Sequence, residues 1–70
     1  MNVRSQIEAA IRKAGSEAKL GEATGYSQHA IWRAKQRGHV TAEMALKFHE
    51  AGYGHRAAFR PDLWPEEVAA

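Results

Sequence analysis

The chain has 70 residues, of which 44% are hydrophobic and 26% are charged, with no cysteine and a formal net charge of +2. This length holds one small domain and excludes a two-domain enzyme. The lack of cysteine excludes disulfide bonds, cysteine-ligated zinc and thiol redox chemistry, and it fits a reducing compartment. No apolar stretch is long enough for a signal peptide or for a membrane span of about 20 residues. We therefore expect a cytoplasmic protein.

Helical spacing and cap residues predict two helices at the start of the chain. Apolar residues recur at three- and four-residue intervals over 2–14, which is the first predicted helix, and Gly15 ends it. Ser16 follows as an N-cap, because its hydroxyl can accept a backbone N–H that the helix leaves without a partner. The second predicted helix runs from there to Thr24.

The next two helices are delimited in the same way. Gly25 follows the second helix, where a left-handed residue turns the chain, and Ser27 is the N-cap of a third helix over 28–37. Thr41 is the N-cap of a fourth helix that extends to about Ala51.

The C-terminal part is predicted to be less regular. Residues 55–59 are expected to form one more helical turn, and Pro61 and Pro65 predict an extended tail. No alternation of apolar and polar residues indicates a strand. The predicted fold is therefore all-α, with four to five short helices in a domain over 1–60 and an extended tail over 61–70.

Charge is divided unevenly along the chain. Residues 1–40 carry seven Lys or Arg and three Glu, a balance of +4, whereas residues 41–70 carry three Lys or Arg and five acids, a balance of −2. No acid occurs from 23 to 42. The basic residues of this window are Arg33, Lys35 and Arg37, with His29 and His39 beside them. Such a local basic region is typical of a nucleic-acid-binding protein, although a solvated helix face has the same composition.

The second helix, the glycine turn and the third helix together match a helix-turn-helix motif over 17–37. In this motif one helix is held so that its outer face enters the major groove of DNA. At about 100° per residue, Ala30, Ile31 and Ala34 share the buried face of the third helix. The outward residues are the candidate contacts to DNA bases: Gln28, His29, Trp32, Arg33 and Gln36. Gln28 can pair bidentately with adenine and Arg33 with guanine.

Two segments resemble known families. Residues 25–35, GYSQHAIWRAK, resemble the recognition helix of small phage Cro repressors, and residues 60–65, RPDLWP, are similar to the tail of the YdaS-like group of prophage proteins. The resemblance implies a lambda-repressor-like fold and a cofactor-free repressor in a bacterial host. It also implies binding to a double-stranded DNA operator, with a homodimer at least on DNA.

The resemblance also implies roles for single residues. It assigns base contacts to the outward residues of the third helix, and we expect phosphate contacts from Ser16, Lys19, Ser27, Lys35 and Arg37. Two positions depart from the family. Trp32 stands where a small polar residue is usual, and it is expected either to contact the groove or to pack against the fourth helix or a dimer partner. Glu17 stands where the family commonly has Gln, and its carboxylate is expected to repel the DNA backbone.

Three large apolar residues near the C-terminus leave a second function open. Phe59, Leu63 and Trp64 are expected either to fold back over the first and fourth helices or to contact a dimer or protein partner. Contact with a partner is the basis of the alternative hypothesis, an antitoxin-like interaction protein that binds its partner through this tail.

The sequence contains no pattern that predicts catalysis or metal binding. The four histidines, at 29, 39, 49 and 55, lack the three-to-five-residue spacing of a paired metal site. No glycine-rich phosphate loop or Ser, His and acid set is recognisable. Glu66 and Glu67 are expected to be a solvated tail end. We therefore predict neither an enzyme nor a bound metal or cofactor.

Overall fold

All regular structure in the computed structural model, which describes residues 2–68, is helical. The six helices are α1 Val3–Ala14, α2 Glu17–Thr24, α3 Gln28–Arg37, α4 Ala42–Glu50, α5 Arg56–Phe59 and α6 Pro65–Val68. The prediction of an all-α protein is confirmed, and the bounds of the first five helices agree with the predictions to within one residue. Within the described range, none of the helices has the length and apolar character needed to cross a membrane.

Each of the first four helices begins at a side chain that accepts a backbone N–H. The Asn2 carboxamide accepts from the amide of Ser5 at 2.8 Å. The predicted N-caps Ser16, Ser27 and Thr41 each accept from the amide three residues later, at 3.1 Å in every case. These hydrogen bonds satisfy donors that a helix cannot satisfy internally, and they explain why the helix starts could be predicted.

The core is shared by the first five helices. Its members have at most 6% of their surface exposed, and they are Ile7, Ala10, Leu20, Ile31, Ala34, Val40, Met44, Ala45, Phe48 and Phe59. The rings of Phe48 and Phe59 meet edge to face, with centroids 5.1 Å apart. Phe59 therefore belongs to the same core as the helices that precede it.

The turn between α2 and α3 is built by direct contact of backbone with backbone. Gly25 has a left-handed conformation, with φ +85°, and its N–H donates to the Gly21 carbonyl oxygen at 2.8 Å. The N–H of Tyr26 donates to the same oxygen at 2.8 Å. Gly21 is itself buried, and a Cβ at this position would overlap the carbonyl oxygen of Tyr26. A glycine inside α2, which costs helix stability, is therefore required by this close approach.

The prediction of an extended tail is wrong for residues 61–68. The chain turns over 61–63 and then forms α6, whose first residue is Pro65. Proline suits the first position of a helix because the backbone N–H that it lacks would have no partner there, and Glu66 and Glu67 favourably occupy the positive end of the helix dipole. Ala69 and Ala70, the rest of the predicted tail, lie outside the described residues.

Candidate nucleic-acid interface

One side of α3 is buried and the opposite side is open to solvent. Ile31 and Ala34 face the core. All five predicted base-contact residues lie on the exposed side: Gln28, His29, Trp32, Arg33 and Gln36. The structure thus brings the predicted residues together on one helix face, while their contact with DNA stays a prediction.

The two arginines of α3 have no acidic partner. Neither Arg33 nor Arg37 forms a hydrogen bond or an ion pair with any residue from 2 to 68. With His39 they line a shallow hollow between the end of α3 and the start of α4, over an apolar floor that includes Val40 and Met44. Two full positive charges are therefore available on this flank of the helix for an anionic ligand.

The other flank of α3 carries a stacked pair of rings. Trp32 lies over His29 with centroids 5.7 Å apart and ring planes 21° apart, and 44% of its surface is exposed. Trp32 is thus an exposed residue of α3, and its expected contacts with the groove, the fourth helix or a dimer partner stay predictions. Together with Glu17, Ser27 and Gln28 these rings line a second hollow at the start of α3.

Lys35, a predicted phosphate contact, forms an ion pair within the protein instead of being free. Its ammonium donates to the Glu17 carboxylate at 2.7 Å, and both side chains are mostly buried, with 28% and 18% of their surfaces exposed. The reason is that Lys35 lies on the flank of α3 that faces α2. The same ion pair places a positive charge beside the Glu17 carboxylate, while the effect of Glu17 on the DNA backbone stays a prediction.

The remaining predicted phosphate contacts are divided between two places. Ser16 and Ser27 accept N–H groups as N-caps, which leaves each hydroxyl hydrogen free to donate to a phosphate oxygen. Ser27 lies beside Gln28 and the ring pair. Lys19 instead lines a hollow with Ala14, Glu22 and Tyr53, so it is not grouped with the exposed residues of α3.

Sequence reasoning missed a contact from α1 to the end of α3. The guanidinium of Arg4 donates to the carbonyl oxygen of Lys35 at 3.0 Å and to that of Gln36 at 2.6 Å. The residues are more than 30 positions apart in the chain, and no local pattern connects them. The cation lies at the negative end of the α3 dipole, where it is stabilising.

The three apolar residues proposed as a partner contact have different surroundings. Phe59 is fully buried, so of its two expected placements it folds back and is not a surface contact: its ring completes the core against Phe48. Trp64 also folds back onto the core, and the Arg56 guanidinium lies 5.2 Å above its ring. Leu63, with 44% of its surface exposed, is the member of this set that faces solvent.

Both arginines of the C-terminal segment are paired with acids. Arg56 donates to the two carboxylate oxygens of Glu67 at 2.9 and 2.7 Å, and this lowers the pKa of Glu67. Arg60 donates to both oxygens of Asp62 at 3.0 and 2.8 Å, lowers the pKa of that carboxyl, and reaches the Val40 carbonyl oxygen at 3.0 Å. The prediction of a solvated end is therefore wrong for Glu67.

Two histidines help to build α5. Nδ1 of His55 accepts the N–H of Ala57 at 3.1 Å, and Nδ1 of His49 accepts the N–H of Arg56 at 3.0 Å. Their rings meet edge to face at 4.7 Å. Within residues 2–68 no three His, Asp or Glu side chains are grouped in a way that could hold a metal ion.

Comparison of the chain with protein-family models, with curated proteins and with solved structures found no match. The resemblance to Cro-type repressors therefore rests on the two quoted sequence segments. A function has to be argued from the geometry and charge of the site itself.

Proposed function

We propose that this protein is a sequence-specific transcription regulator that binds double-stranded DNA, a Cro-type repressor of phage or prophage origin that occupies a promoter operator. In this proposal α2, the turn and α3 are a helix-turn-helix motif, and the exposed side of α3 enters the major groove. The observation that carries the proposal is a pair of arginines without a partner among residues 2–68, Arg33 and Arg37, on the same exposed helix side as Gln28 and Gln36.

The charge distribution supports an anionic ligand. The C-terminal arginines are neutralised by carboxylates at 2.7–3.0 Å, whereas those of α3 are not. Glu17, which lines the hollow at the start of α3, is itself held by Lys35. A polyanion that approaches α3 therefore meets two arginines that have no acidic partner among residues 2–68, which favours the binding of DNA.

The side-chain chemistry supports base recognition as well as phosphate attraction. The Arg33 fork matches the O6 and N7 acceptors of guanine, and a Gln28 amide matches N6 and N7 of adenine. Each such pair distinguishes the right base from a wrong one by about 1–3 kcal/mol. The exposed face of Trp32 offers an apolar surface to a thymine methyl group.

Operator binding of this kind requires two copies. The described part of one chain measures 31 × 22 × 19 Å and presents one α3. Successive major grooves on one side of a duplex are about 34 Å apart. Hence we propose a homodimer on DNA that places one α3 in each half-site of a pseudo-palindromic operator.

The antitoxin-like alternative is not favoured by a specific observation. It required a tail free to bind a partner, and the fold buries Phe59 and packs Trp64 against the core. Of the large apolar residues of this segment, Leu63 and Val68 are exposed.

The proposal is tested by selecting sites from a randomised duplex pool and measuring affinity for the selected site over a series of salt concentrations. We expect a two-fold symmetric consensus and an affinity that falls steeply with salt, because each phosphate contact releases condensed counterions. Failure to enrich any sequence would rule out operator recognition. Enrichment without two-fold symmetry would retain DNA recognition and reject the dimer.

A further inference from the structure

Residues of α1 and α2 both contact Lys35, which lies in the last turn of α3. Arg4, in the first turn of α1, donates to the carbonyl oxygen of Lys35 at 3.0 Å and to that of Gln36 at 2.6 Å. The ammonium of the same Lys35 is held by Glu17 of α2 at 2.7 Å. The position of this turn is therefore determined by contacts with α1 and α2 as well as by its own backbone.

The Arg4 guanidinium supplies hydrogen-bond donors to carbonyl groups at the end of α3. The last four carbonyl groups of a helix have no donor within the helix. At the end of α3 the amides of Gly38 and His39 reach back to the Ala34 carbonyl oxygen, and Gly38 also reaches that of Lys35. Arg4 supplies a donor for the Gln36 carbonyl and a second one for Lys35.

We propose that Arg4 is a positioning residue for DNA recognition, whose two-pronged contact holds the last turn of α3 at the depth and rotation that base recognition needs. This inference rests on the DNA-binding function proposed above. Arg33 and Gln36, two of the proposed base contacts, lie within one turn of the carbonyls that Arg4 holds. A shift of the turn therefore moves both side chains together.

Loss of this anchor is expected to affect base contacts more than phosphate contacts. A hydrogen bond to a base edge weakens steeply with a few tenths of an ångström or a few tens of degrees of misplacement. The attraction between a cation and the DNA backbone extends over about a Debye length, roughly 8 Å at physiological salt. A positioning role thus predicts lower sequence selectivity at nearly unchanged salt dependence.

Lysine is the informative replacement at this position. Arg4→Lys retains the positive charge near the end of α3, but its single ammonium lacks the planar fork that reaches two successive carbonyls. The control is Arg12→Lys, on the same helix and about 12 Å further along its axis. The Arg12 side chain forms no hydrogen bond or ion pair with residues 2–68. Arg4 is exposed, so the variant leaves the buried core intact.

The measured quantities are the affinity for the selected site, the affinity for an unrelated duplex and the salt dependence of both. For Arg4→Lys we expect the ratio of specific to non-specific affinity to fall about tenfold, with the salt slope unchanged and no effect of Arg12→Lys. An unchanged ratio would overturn the positioning role, since charge alone would then suffice.

Amide hydrogen exchange of the free protein separates this proposal from the proposed function. We expect the amides of Gly38 and His39 to exchange faster in Arg4→Lys, while that of Gly25, in the turn between α2 and α3, is unchanged. Equal exchange of the Gly38 and His39 amides in the wild type and in Arg4→Lys would show that Arg4 does not hold the turn, irrespective of the DNA-binding result. If the wild-type chain selects no site, the proposed function fails and the positioning role fails with it.

Discussion

The exposed side of α3 and the C-terminal segment over 55–68 each contain two arginines and one tryptophan, and they use them in opposite ways. In the C-terminal segment Arg56 and Arg60 are held by carboxylates, and the Trp64 ring lies under a guanidinium. On α3 the two arginines have no partner among the described residues, and Trp32 is largely exposed.

The difference shows why net charge says little about this protein. The two halves of the chain differ by six charges, +4 against −2, although the total is only +2. In the C-terminal half Asp62 and Glu67 pair with arginines of the same segment, whereas α3 lies in the stretch that contains no acid. We infer that Arg56 and Arg60 stabilise the fold, whereas Arg33 and Arg37 are the cations that the proposed contact with DNA would use.

Removing the buried ring of the C-terminal segment should have the largest effect on stability. We expect Phe59→Ala to lower the free energy of unfolding by about 3–5 kcal/mol, since it leaves a cavity against Phe48. The matched control, Leu63→Ala, is expected to cost less than about 1 kcal/mol because the side chain is largely exposed. Denaturant titration followed by circular dichroism measures both. Equal effects would mean that the segment is not part of the core.

Removing a cation from α3 should instead affect binding and leave stability unchanged. We expect Arg33→Ala to weaken binding to the selected site by about 10- to 100-fold, which corresponds to the loss of one bidentate base contact. Arg12→Ala removes an equal charge from α1 and should change affinity by less than about threefold. Titration of labelled duplex by fluorescence anisotropy gives both values. An Arg33→Ala affinity within about twofold of wild type would remove this residue from the proposed base contacts.

The free and the paired cation of the last turn of α3 can be compared directly. We expect Arg37→Met to reduce the slope of log affinity against log salt by about one, as for the loss of one phosphate contact. The double variant Lys35→Met with Glu17→Gln removes an ion pair without a change of net charge, and it should leave the slope unchanged. An equal loss of slope in the double variant would show that Lys35 leaves Glu17 to contact DNA.

The smallest expected effect concerns acid stability of the C-terminal segment. The Arg56 guanidinium lowers the pKa of Glu67. The ionised carboxylate therefore stabilises the fold at pH values above the ordinary glutamate pKa of about 4.3. This stabilisation is lost as the pH falls through the lower pKa of the folded state. Glu67→Gln should therefore lower Tm at pH 7 and lose less on acidification than wild type does. Glu66→Gln is the control, because Glu66 has no partner within the described range. Identical Tm profiles for the two variants would contradict the pairing.

The helices of the first 51 residues could be predicted because their signals are local. Ser16, Ser27 and Thr41 cap amides only three residues away, and Gly25 and Gly38 end helices in left-handed conformations. The exposed side of α3 followed from helical periodicity alone. Each of these signals depends on side chains that are neighbours along the sequence.

Contacts between distant residues could not be predicted in this way. The pairing of Lys35 with Glu17 spans 18 positions and that of Arg4 with the end of α3 spans more than 30, so both depend on how whole helices pack. The tail prediction failed for another reason. Pro65 indicates an end of regular structure when it is considered alone, whereas a proline followed by two glutamates is equally suited to begin a helix.

Gly21, inside α2, affects which substitutions this chain can accept in evolution. Because Gly21 touches the backbone of residue 26 directly, the spacing between α2 and the start of α3 is set by main-chain atoms and not by the size of core side chains. Core residues such as Leu20 and Ile31 can therefore be exchanged for others of similar volume without altering the angle at which α3 is presented. Substitutions in the core can therefore accumulate without a change in how α3 is presented. A substitution at position 21 would change the packing of α2 and the presentation of α3 together.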